Sequence, residues 1–289
     1  MTSGWHIGVI GGSGLAGGLD IENAQEITVS SPFGEASGPV TIGTLGGVRF
    51  TFLARHGAGH HLPPSAINYR ANIDVLKRCG ATDLLALSAI GSLNEAMEPG
   101  QFVVVDQFID QTVARAGSFF GPGLVAHVGL ADPVCPRLAA LAAAAARECG
   151  AIVHDSGCYI AIEGPQFSTR AESRMYRSWG GDVIGMTAMP EARLSREAEL
   201  PYALIGMVTD YDSWREAEAG ADVAQVLSVM KGNVKIARDM IRKLAAKLPA
   251  KRSASPIDHA LDGAIMTAPE ARDPVLALRL DAVAGRALR

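Results

Sequence analysis

Short apolar runs alternate with longer segments of helical periodicity along most of the chain. The apolar runs have the length of buried strands and lie at residues 6–10, 48–53, 83–88, 101–105, 151–153, 181–186 and 203–209. The helix-like segments lie at residues 68–79, 135–149, 168–179, 191–199 and 222–248. This alternation predicts an α/β fold in which a mixed, largely parallel central β-sheet is flanked by helices on both faces.

The pattern changes at the C-terminal side of the last long helical segment. Residues 249–256 contain only Pro, Ser, Ala and basic residues and have the composition of a linker. Beyond them, residues 257–266 and 274–288 are mildly amphipathic and are predicted to be helical. We therefore predict a single α/β domain over residues 1–248. Residues 249–289 form a linker and helical tail, which is suited to packing on its own subunit or at a subunit interface.

Composition and charge exclude several classes of protein. Apolar residues make up 48% and charged residues 19% of the 289, which is enough for a large core. A net charge of −4 gives no electrostatic reason to expect nucleic acid or an anionic membrane as a partner. The N-terminal residues show no basic start and no apolar stretch, so no signal peptide is expected and the cytoplasm is the predicted compartment.

The four cysteines show no spacing that is typical of a metal site. Cys79, Cys135, Cys149 and Cys158 form neither a CxxC motif nor a Cys/His cluster. We expect free thiols in or near the core, with a disulfide as the less favoured alternative. No metal ligand set is predicted.

A glycine-rich loop follows the first predicted strand. Gly12, Gly14 and Gly17 fit the GxGxxG pattern, so a dinucleotide-binding oxidoreductase has to be considered. That site also needs an acid at the end of the second strand, whereas the strand-like residues 27–30 are followed by Ser and Pro. The simpler interpretation is that backbone N–H groups and the Ser13 hydroxyl bind one anion. A purely structural turn is the third alternative.

Polar residues follow two further apolar runs. Arg55 and His56 come after the run at 48–53, and an arginine at a strand end is suited to forked hydrogen bonding of phosphate. Ser88 ends the run at 83–88. Because open α/β sheets bind ligands at the carboxyl ends of their strands, Ser13, Arg55 with His56, and Ser88 together predict an anion site.

Three later clusters suggest a site for a flat ligand. Residues 163–168 place an acid, a turn and the ring of Phe167 in one loop before a helix. Thr187, next to Met186, supplies another hydroxyl at a strand end. Asp210 and Asp212 end the apolar run at 203–209, which is costly unless both carboxyls are used or solvated, although a helix cap is an alternative.

In this order, the clusters resemble the trimeric purine nucleoside phosphorylases, and specifically their methylthioadenosine phosphorylase branch. The segments that carry the resemblance are residues 10–14, 54–57, 68–69, 91–93, 106–110, 162–173, 186–187 and 209–212. They span the chain from about residue 6 to residue 248. The resemblance implies a nucleoside phosphorylase fold and a pentosyltransferase that cleaves S-methyl-5'-thioadenosine to adenine and S-methyl-5-thioribose 1-phosphate in purine and methionine salvage.

The resemblance also implies roles for individual residues. Phosphate would be held by Ser13, Arg55, His56, Ser88, the Ala89 backbone and Thr187. The family often carries threonine where this chain has Ser13 and Ser88, but the hydroxyl is retained. The ribose and the base would be bound by Met186, Phe167, Asp210 and Asp212. The 5' pocket would be lined by Val223, Val226, Leu227 and the His127 of a neighbouring subunit in a homotrimer.

The chemistry of cleavage agrees with these residues. Breaking the bond between C1' and N9 leaves positive charge on the ribose and negative charge on the purine. Bound phosphate can stabilise the positively charged sugar and then attack C1'. A protonated Asp210 can donate to N7, and an ionised Asp212 suits a 6-amino group. Inorganic phosphate is then a co-substrate, and no cofactor is expected. The alternatives are a phosphorylase of 6-oxopurine nucleosides, the nicotinamide oxidoreductase, and a catalytically silent purine-binding protein.

Overall fold

The computed structural model describes residues 4–12, 15–215 and 223–289. The strands within these ranges are β1 (His6–Gly11), β2 (Glu22–Ile27), β3 (Val40–Leu45), β4 (Val48–Ala54), β5 (Asp83–Ser92), β6 (Phe102–Val105), β7 (Gln107–Gln111), β8 (Val153–His154), β9 (Cys158–Ile162), β10 (Val183–Gly185) and β11 (Tyr202–Asp210). The α-helices are α1 (Tyr69–Arg78), α2 (Pro136–Glu148), α3 (Arg170–Ser178), α4 (Ala188–Glu197), α5 (Val223–Lys247), α6 (Pro274–Arg279) and α7 (Asp281–Leu288).

All the described strands belong to one mixed sheet. Its main path runs β2-β3-β4-β1-β5-β10-β9-β7, and β11 pairs with β5 and β6 while β8 pairs with β6. The central strands β4, β1, β5 and β11 are mutually parallel, and β2–β3–β4 form an antiparallel edge. The predicted α/β class, with a mixed and largely parallel sheet in a single domain, is confirmed.

Helices cover both faces of this sheet. One face carries a core to which α1 and α4 contribute Ile73, Leu76 and Leu194. The other face carries a second core to which α2 and α5 contribute Leu138 and Leu244. Burial of apolar side chains on both faces explains why the strands have nearly continuous apolar sequences. In the part of the chain that the structure describes, no helix is both long enough and apolar enough to cross a membrane.

Several strands differ from the sequence prediction for a common reason. The strand predicted at 27–30 lies instead at Glu22–Ile27, and every residue of it is exposed. A strand without buried positions has no apolar period, so a search for apolar runs misses it. The prediction also missed β3, β7 and β9, of which β3 and β7 are only partly buried. A further error is at 257–266, where the structure has a 3-10 turn, Pro256–His259, and then irregular turns.

The tail folds back on its own chain. Arg252, in the segment with linker composition, forms ion pairs with the buried Asp83 and with Asp258. Ile257 and Val283 are buried in the two cores. The helix predicted at 274–288 is present but divided at Leu280 into α6 and α7. All four cysteines are free thiols, and Cys135 is buried.

The tail also pairs with the segment that carries His127. The backbone N–H of His127 donates to the carbonyl of Ala264 at 2.8 Å, and the N–H of Met266 donates to the carbonyl of Val125 at 2.9 Å. An antiparallel bridge joins Ala126 to Ile265 between them. These bonds give residues 125–127 a defined position on the surface.

Candidate active site

The functional side chains meet at one edge of the sheet because their strands are parallel. Gly11 of β1 is in register with Ala54 of β4, and Gly206 of β11 is in register with Ser88 of β5. The carboxyl ends of β1, β4, β5 and β11 therefore point to the same edge. Arg55 follows β4 directly, and its N–H donates to the Gly11 carbonyl at 2.8 Å.

Strand β5 orders the site from one end to the other. At Ser88, the side-chain oxygen lies 3.3 Å from that of Thr187. At Gly91, β5 is paired with both Asp210 and Ile184. A strand rises about 3.3 Å per residue, so the hydroxyl pair and the carboxyl pair are separated by about 10 Å along the strand. A purine nucleoside with a separate phosphate ion beside its C1' has this length, roughly 10 Å.

The guanidinium of Arg55 is buried and paired with a carboxylate that the sequence analysis did not assign to the site. Its Nε and Nη2 donate to Oε2 and Oε1 of Glu191 at 2.7 and 2.9 Å. Nη1 donates to the Leu87 carbonyl at 3.1 Å, and Nη2 also lies 3.4 Å from the Ile10 carbonyl. The fork predicted to face phosphate therefore faces Glu191. Of the guanidinium's N–H groups, one on Nη1 has no acceptor among the described residues, so it can donate to an anion.

His56 adds no positive charge at neutral pH. Burial lowers the pKa of its imidazole to about 4. Its Nδ1 lies 2.9 Å from the Leu62 carbonyl, and because a carbonyl only accepts, Nδ1 carries the proton. With Arg55 neutralised by Glu191, this end of the site offers mainly neutral hydrogen-bonding groups.

A buried tyrosine holds the backbone of Thr187 at this end of the site. Ser88 and Thr187 are both buried, and the N–H of Thr187 donates to the Tyr159 hydroxyl at 3.3 Å. Ala89, which follows Ser88, is paired with Met207 of β11. Ser13, the remaining predicted phosphate ligand, lies outside the described residues.

The two carboxyls at the other end are buried. Burial raises the pKa of Asp210, although the Thr209 hydroxyl and the Asp212 N–H donate to its two oxygens at 2.7 and 2.8 Å. Burial also raises the pKa of Asp212, and the charge of Asp210 adds to this shift. The sequence analysis assigned a raised pKa to Asp210 alone. The structure raises the pKa of both members of the pair.

Two serine hydroxyls lie beside the Asp212 carboxyl. The Oδ2 of Asp212 and the Oγ atoms of Ser168 and Ser173 are all buried. Hydrogen bonding from Ser173 and Ser168 lowers the pKa of Asp212 and opposes part of the rise caused by burial. The Phe167 ring, in the same loop, is 43% exposed.

Met186 lies between the two ends of the site. It follows β10, and its side chain packs on Gly164, where an added Cβ would lie 2.5 Å from the Met186 sulfur. Gly164 has a φ of +67°, a conformation that other residues rarely adopt. The thioether is thus packed against the loop that carries Phe167.

The predicted 5' wall is open in the single chain. Val223 and Leu227 are 57% and 55% exposed in the first turns of α5, and Val226 is partly buried. Helix α5 is anchored where Asn233 donates to the Val208 carbonyl at 3.1 Å, so its first turns lie at the same edge of the sheet as Asp210. His127 is exposed on the separate surface segment that pairs with the tail.

The glycine loop is not part of a dinucleotide-binding unit. Residues 15–19 form turns rather than the start of a helix, and β1 is followed by the β2–β3 hairpin instead of a crossover helix. The dinucleotide fingerprint needs a helix directly after the loop. Among the described residues, no group of three His, Cys, Asp or Glu side chains could hold a metal ion.

Sequence reasoning missed Glu191, Tyr159 and Arg115, which support the site from within. Each is polar and buried among apolar residues, and only its partners reveal its role. A charged residue on the apolar side of a predicted helix is a usable signal for Glu191, since burial of an unpaired charge is costly. Arg115 lies in an irregular loop and gives no comparable signal.

Comparison with known proteins is consistent with this geometry. The model of the phosphorylase superfamily matches residues 6–246. The S-methyl-5'-thioadenosine phosphorylase of Cereibacter sphaeroides is 53% identical, over 98% of both chains. A methylthioadenosine phosphorylase from an antarctic soil metagenomic library has a TM-score of 0.91 at 41% identity, over 96% of this chain and 98% of that one. Methylthioadenosine phosphorylase from Schistosoma mansoni, in complex with adenine, has a TM-score of 0.83 at 35% identity, over 93% and 99%.

Proposed function

Because this chain belongs to the phosphorylase superfamily, we propose that it cleaves S-methyl-5'-thioadenosine with phosphate, giving adenine and S-methyl-5-thioribose 1-phosphate. It is a pentosyltransferase of the nucleoside phosphorylase type. The observation that carries the proposal is the order of groups along β5, with hydroxyls at Ser88 and a carboxyl pair at Gly91. In this order phosphate lies at the hydroxyl end, the base lies at the carboxyl end, and the ribose lies between them.

The phosphate end supplies binding and positioning rather than a covalent nucleophile. The hydroxyls of Ser88 and Thr187 and one N–H of Arg55 lie at this end. The Ser88 hydroxyl donates to the Ala89 carbonyl at 3.0 Å and turns to a phosphate oxygen when phosphate binds. A phosphate oxygen then forms the bond to C1' while the bond between C1' and N9 breaks, and the electron pair of that bond leaves with the purine. The negative charge of phosphate stabilises the positive charge that develops on the ribose. No cofactor enters this step.

The carboxyl end assists the leaving purine. As the bond to N9 breaks, negative charge spreads to N7, where a proton donor is most useful. Burial keeps the pKa of Asp210 raised, so its carboxyl holds a proton more readily than an exposed aspartate. Asp210 is the proposed donor to N7, and it is regenerated by a proton from solvent after adenine leaves.

The same carboxyls select the base. An adenine presents an amino group at position 6, whereas a 6-oxopurine presents a carbonyl oxygen that carboxylate oxygens repel. The Oδ2 of Asp212 is a suitable acceptor for the amino group, because a carboxyl oxygen can accept from more than one donor. This favours the 6-aminopurine over the competing 6-oxopurine assignment, and it agrees with the relatives named above.

The first prediction concerns the reaction itself. We expect turnover of methylthioadenosine only when phosphate is present, and much slower turnover of inosine under the same conditions. With phosphate labelled by ¹⁸O, mass spectrometry of the sugar phosphate should show four labelled oxygens, because the bridging oxygen comes from phosphate. Equal turnover in phosphate-free buffer, with a free sugar as product, would identify a hydrolase instead.

We further propose that the active site is completed in a homotrimer. Phe167, Val223 and Leu227 leave apolar surface exposed at the mouth of the site, and burying them against another subunit is favourable. His127 is exposed on a segment held apart by its pairing with residues 264–266. By the family resemblance, that segment reaches the 5' pocket of a neighbour. An apolar 5' wall suits a methylthio group, since a buried hydroxyl without a partner costs about 1–3 kcal/mol.

The second prediction tests this arrangement with His127→Ala. We expect the substitution to change kcat/KM for methylthioadenosine and for adenosine by different factors, because the two substrates differ only at the 5' position. The mass in solution, measured by light scattering, should be that of a trimer for both proteins. His259→Ala, which alters another exposed histidine, is the matched control. A fully active monomer, or an equal loss for both substrates, would contradict the proposal.

A further inference from the structure

Arg115 is a buried side chain with many hydrogen bonds among the described residues, and the reaction described above does not use it. It lies in the loop that follows β7, and its side chain is only 2% exposed. Its Nε donates to Oε1 of Glu163 at 3.0 Å, and the two Nη atoms lie near five further acceptors. A guanidinium with this many partners fixes the segments that supply them.

These partners come from both sides of the site. Nη2 donates to the carbonyl of Glu163 at 2.7 Å and lies 3.4 Å from that of Ile162, at the start of the loop that carries Phe167. Nη1 donates to the carbonyls of Met186 and Met189 at 2.5 and 2.7 Å, on either side of Thr187. One guanidinium therefore joins the base-stacking loop to the segment that contributes to the phosphate end.

Two more contacts stiffen this connection. Nη1 is also 3.0 Å from the hydroxyl of Tyr69, at the start of α1. The other oxygen of Glu163 accepts from the N–H groups of Val113 and Ala114 at 2.7 and 3.2 Å. The loop of residues 113–115 is thus bonded to Glu163 through both its backbone and the Arg115 side chain. These bonds couple the position of that loop to the position of the loop that carries Glu163 and Phe167.

We propose that Arg115 is a positioning residue that fixes the Phe167 loop relative to the Met186–Thr187 segment, so that base and phosphate are held at the distance the reaction needs. This inference rests on the proposed function, because it assigns the two segments to base and phosphate. Arg115 acts through these segments and has no contact with the reacting atoms. A displacement of about 1 Å in such a site can cost about 100-fold in rate.

The test uses Arg115→Lys, which keeps the charge but replaces a forked, planar donor with a compact ammonium. We expect kcat/KM for methylthioadenosine to fall about 10- to 100-fold, and KM to rise for both the nucleoside and phosphate. Adenine binding, followed by calorimetry, should weaken at least about tenfold for the same reason. Arg252→Lys is the matched control, because Arg252 binds Asp83, Asp258 and the Thr82 carbonyl far from the site.

The outcomes separate positioning from simple stabilisation. If both lysine variants melt earlier but only Arg115→Lys changes the KM values and the adenine affinity, the proposal holds. If Arg115→Lys changes only the melting temperature, Arg115 is a structural brace and the proposal fails. Should Arg115→Lys not fold, Glu163→Gln is the second variant. It weakens the side-chain contact between Glu163 and Arg115 and keeps the bonds from Arg115 to backbone carbonyls. The proposal then requires smaller changes in the KM values and in the adenine affinity.

Failure of the proposed function is visible in the wild-type protein. A wild type that binds adenine but cleaves no nucleoside would overturn the function, while calorimetry with adenine would still test Arg115. Unchanged adenine affinity in Arg115→Lys would then overturn the positioning role by itself.

Discussion

Asp210→Asn should lower the turnover of methylthioadenosine about 100- to 10,000-fold, which is the contribution of a positioned general acid. The amide keeps the shape of the side chain and can donate a hydrogen bond to N7, but it cannot transfer a proton. It can also donate to a 6-oxo group. The ratio of activities on methylthioadenosine and inosine should therefore shift toward inosine, as measured by kcat/KM for each.

The pH dependence gives an independent readout of the same carboxyl. Burial raises the pKa of Asp210, and the protonated form is the active one, so the wild-type rate should fall as the pH rises through that raised pKa. The asparagine variant should lack this decline. Asp74→Asn is the control, because Asp74 is a buried carboxyl on α1 whose pKa burial also raises. Wild-type activity and selectivity in Asp210→Asn would remove Asp210 from the mechanism and leave the 6-aminopurine assignment without its main support.

Glu191→Ala should destabilise the fold by about 3–5 kcal/mol, because it leaves the buried charge of Arg55 without its partner. Arg55→Ala should do the same to Glu191. Arg55→Ala is therefore expected to lower the free energy of unfolding as well as the use of phosphate. Urea unfolding measures the loss, and the KM for phosphate measures the effect on the site.

Replacing both members of the pair separates the two effects. In Arg55→Met/Glu191→Leu neither charge of this pair remains, so much of the stability should return, because apolar replacements of buried ion pairs are well tolerated. The use of phosphate should stay impaired, since the free N–H of Arg55 is gone. If the double variant binds phosphate like the wild type, Arg55 has no role in holding it.

The parts of the fold that the sequence predicted well are those with buried strands. The apolar runs that became β1, β4, β5 and β11 are recognisable because both faces of the sheet are covered. Their ends also carry Arg55, Ser88 and Asp210, which is why the edge of the sheet could be predicted as the site. The exposed strand β2 could not be predicted in this way. It is held by backbone hydrogen bonds to β3 and not by burial, so its sequence has no apolar run.

The buried residues that position the site were much harder to predict than the residues at the strand ends. Arg55 was recognised from its place after a strand, but the direction of its guanidinium depends on Glu191, which is 136 residues further along the chain. The position of the Arg115 side chain depends on the backbone carbonyls of Glu163, Met186 and Met189. Every residue has a backbone carbonyl, so the residue type at these positions does not reveal the contact. Such contacts join residues that are distant in sequence, so they cannot be predicted from a local pattern of residue types.

The pairing of residues 125–127 with residues 264–266 sets an order of events during synthesis. Domains generally begin to fold from their N-terminal side while translation continues, and His127 is made early. Its segment obtains its hydrogen bonds only after residues 264–266 have also been made. A ribosome-bound chain can thus form the sheet and its own phosphate end before residues 125–127 are fixed in place. In the proposed homotrimer, completion of the active sites by His127 is therefore a late step.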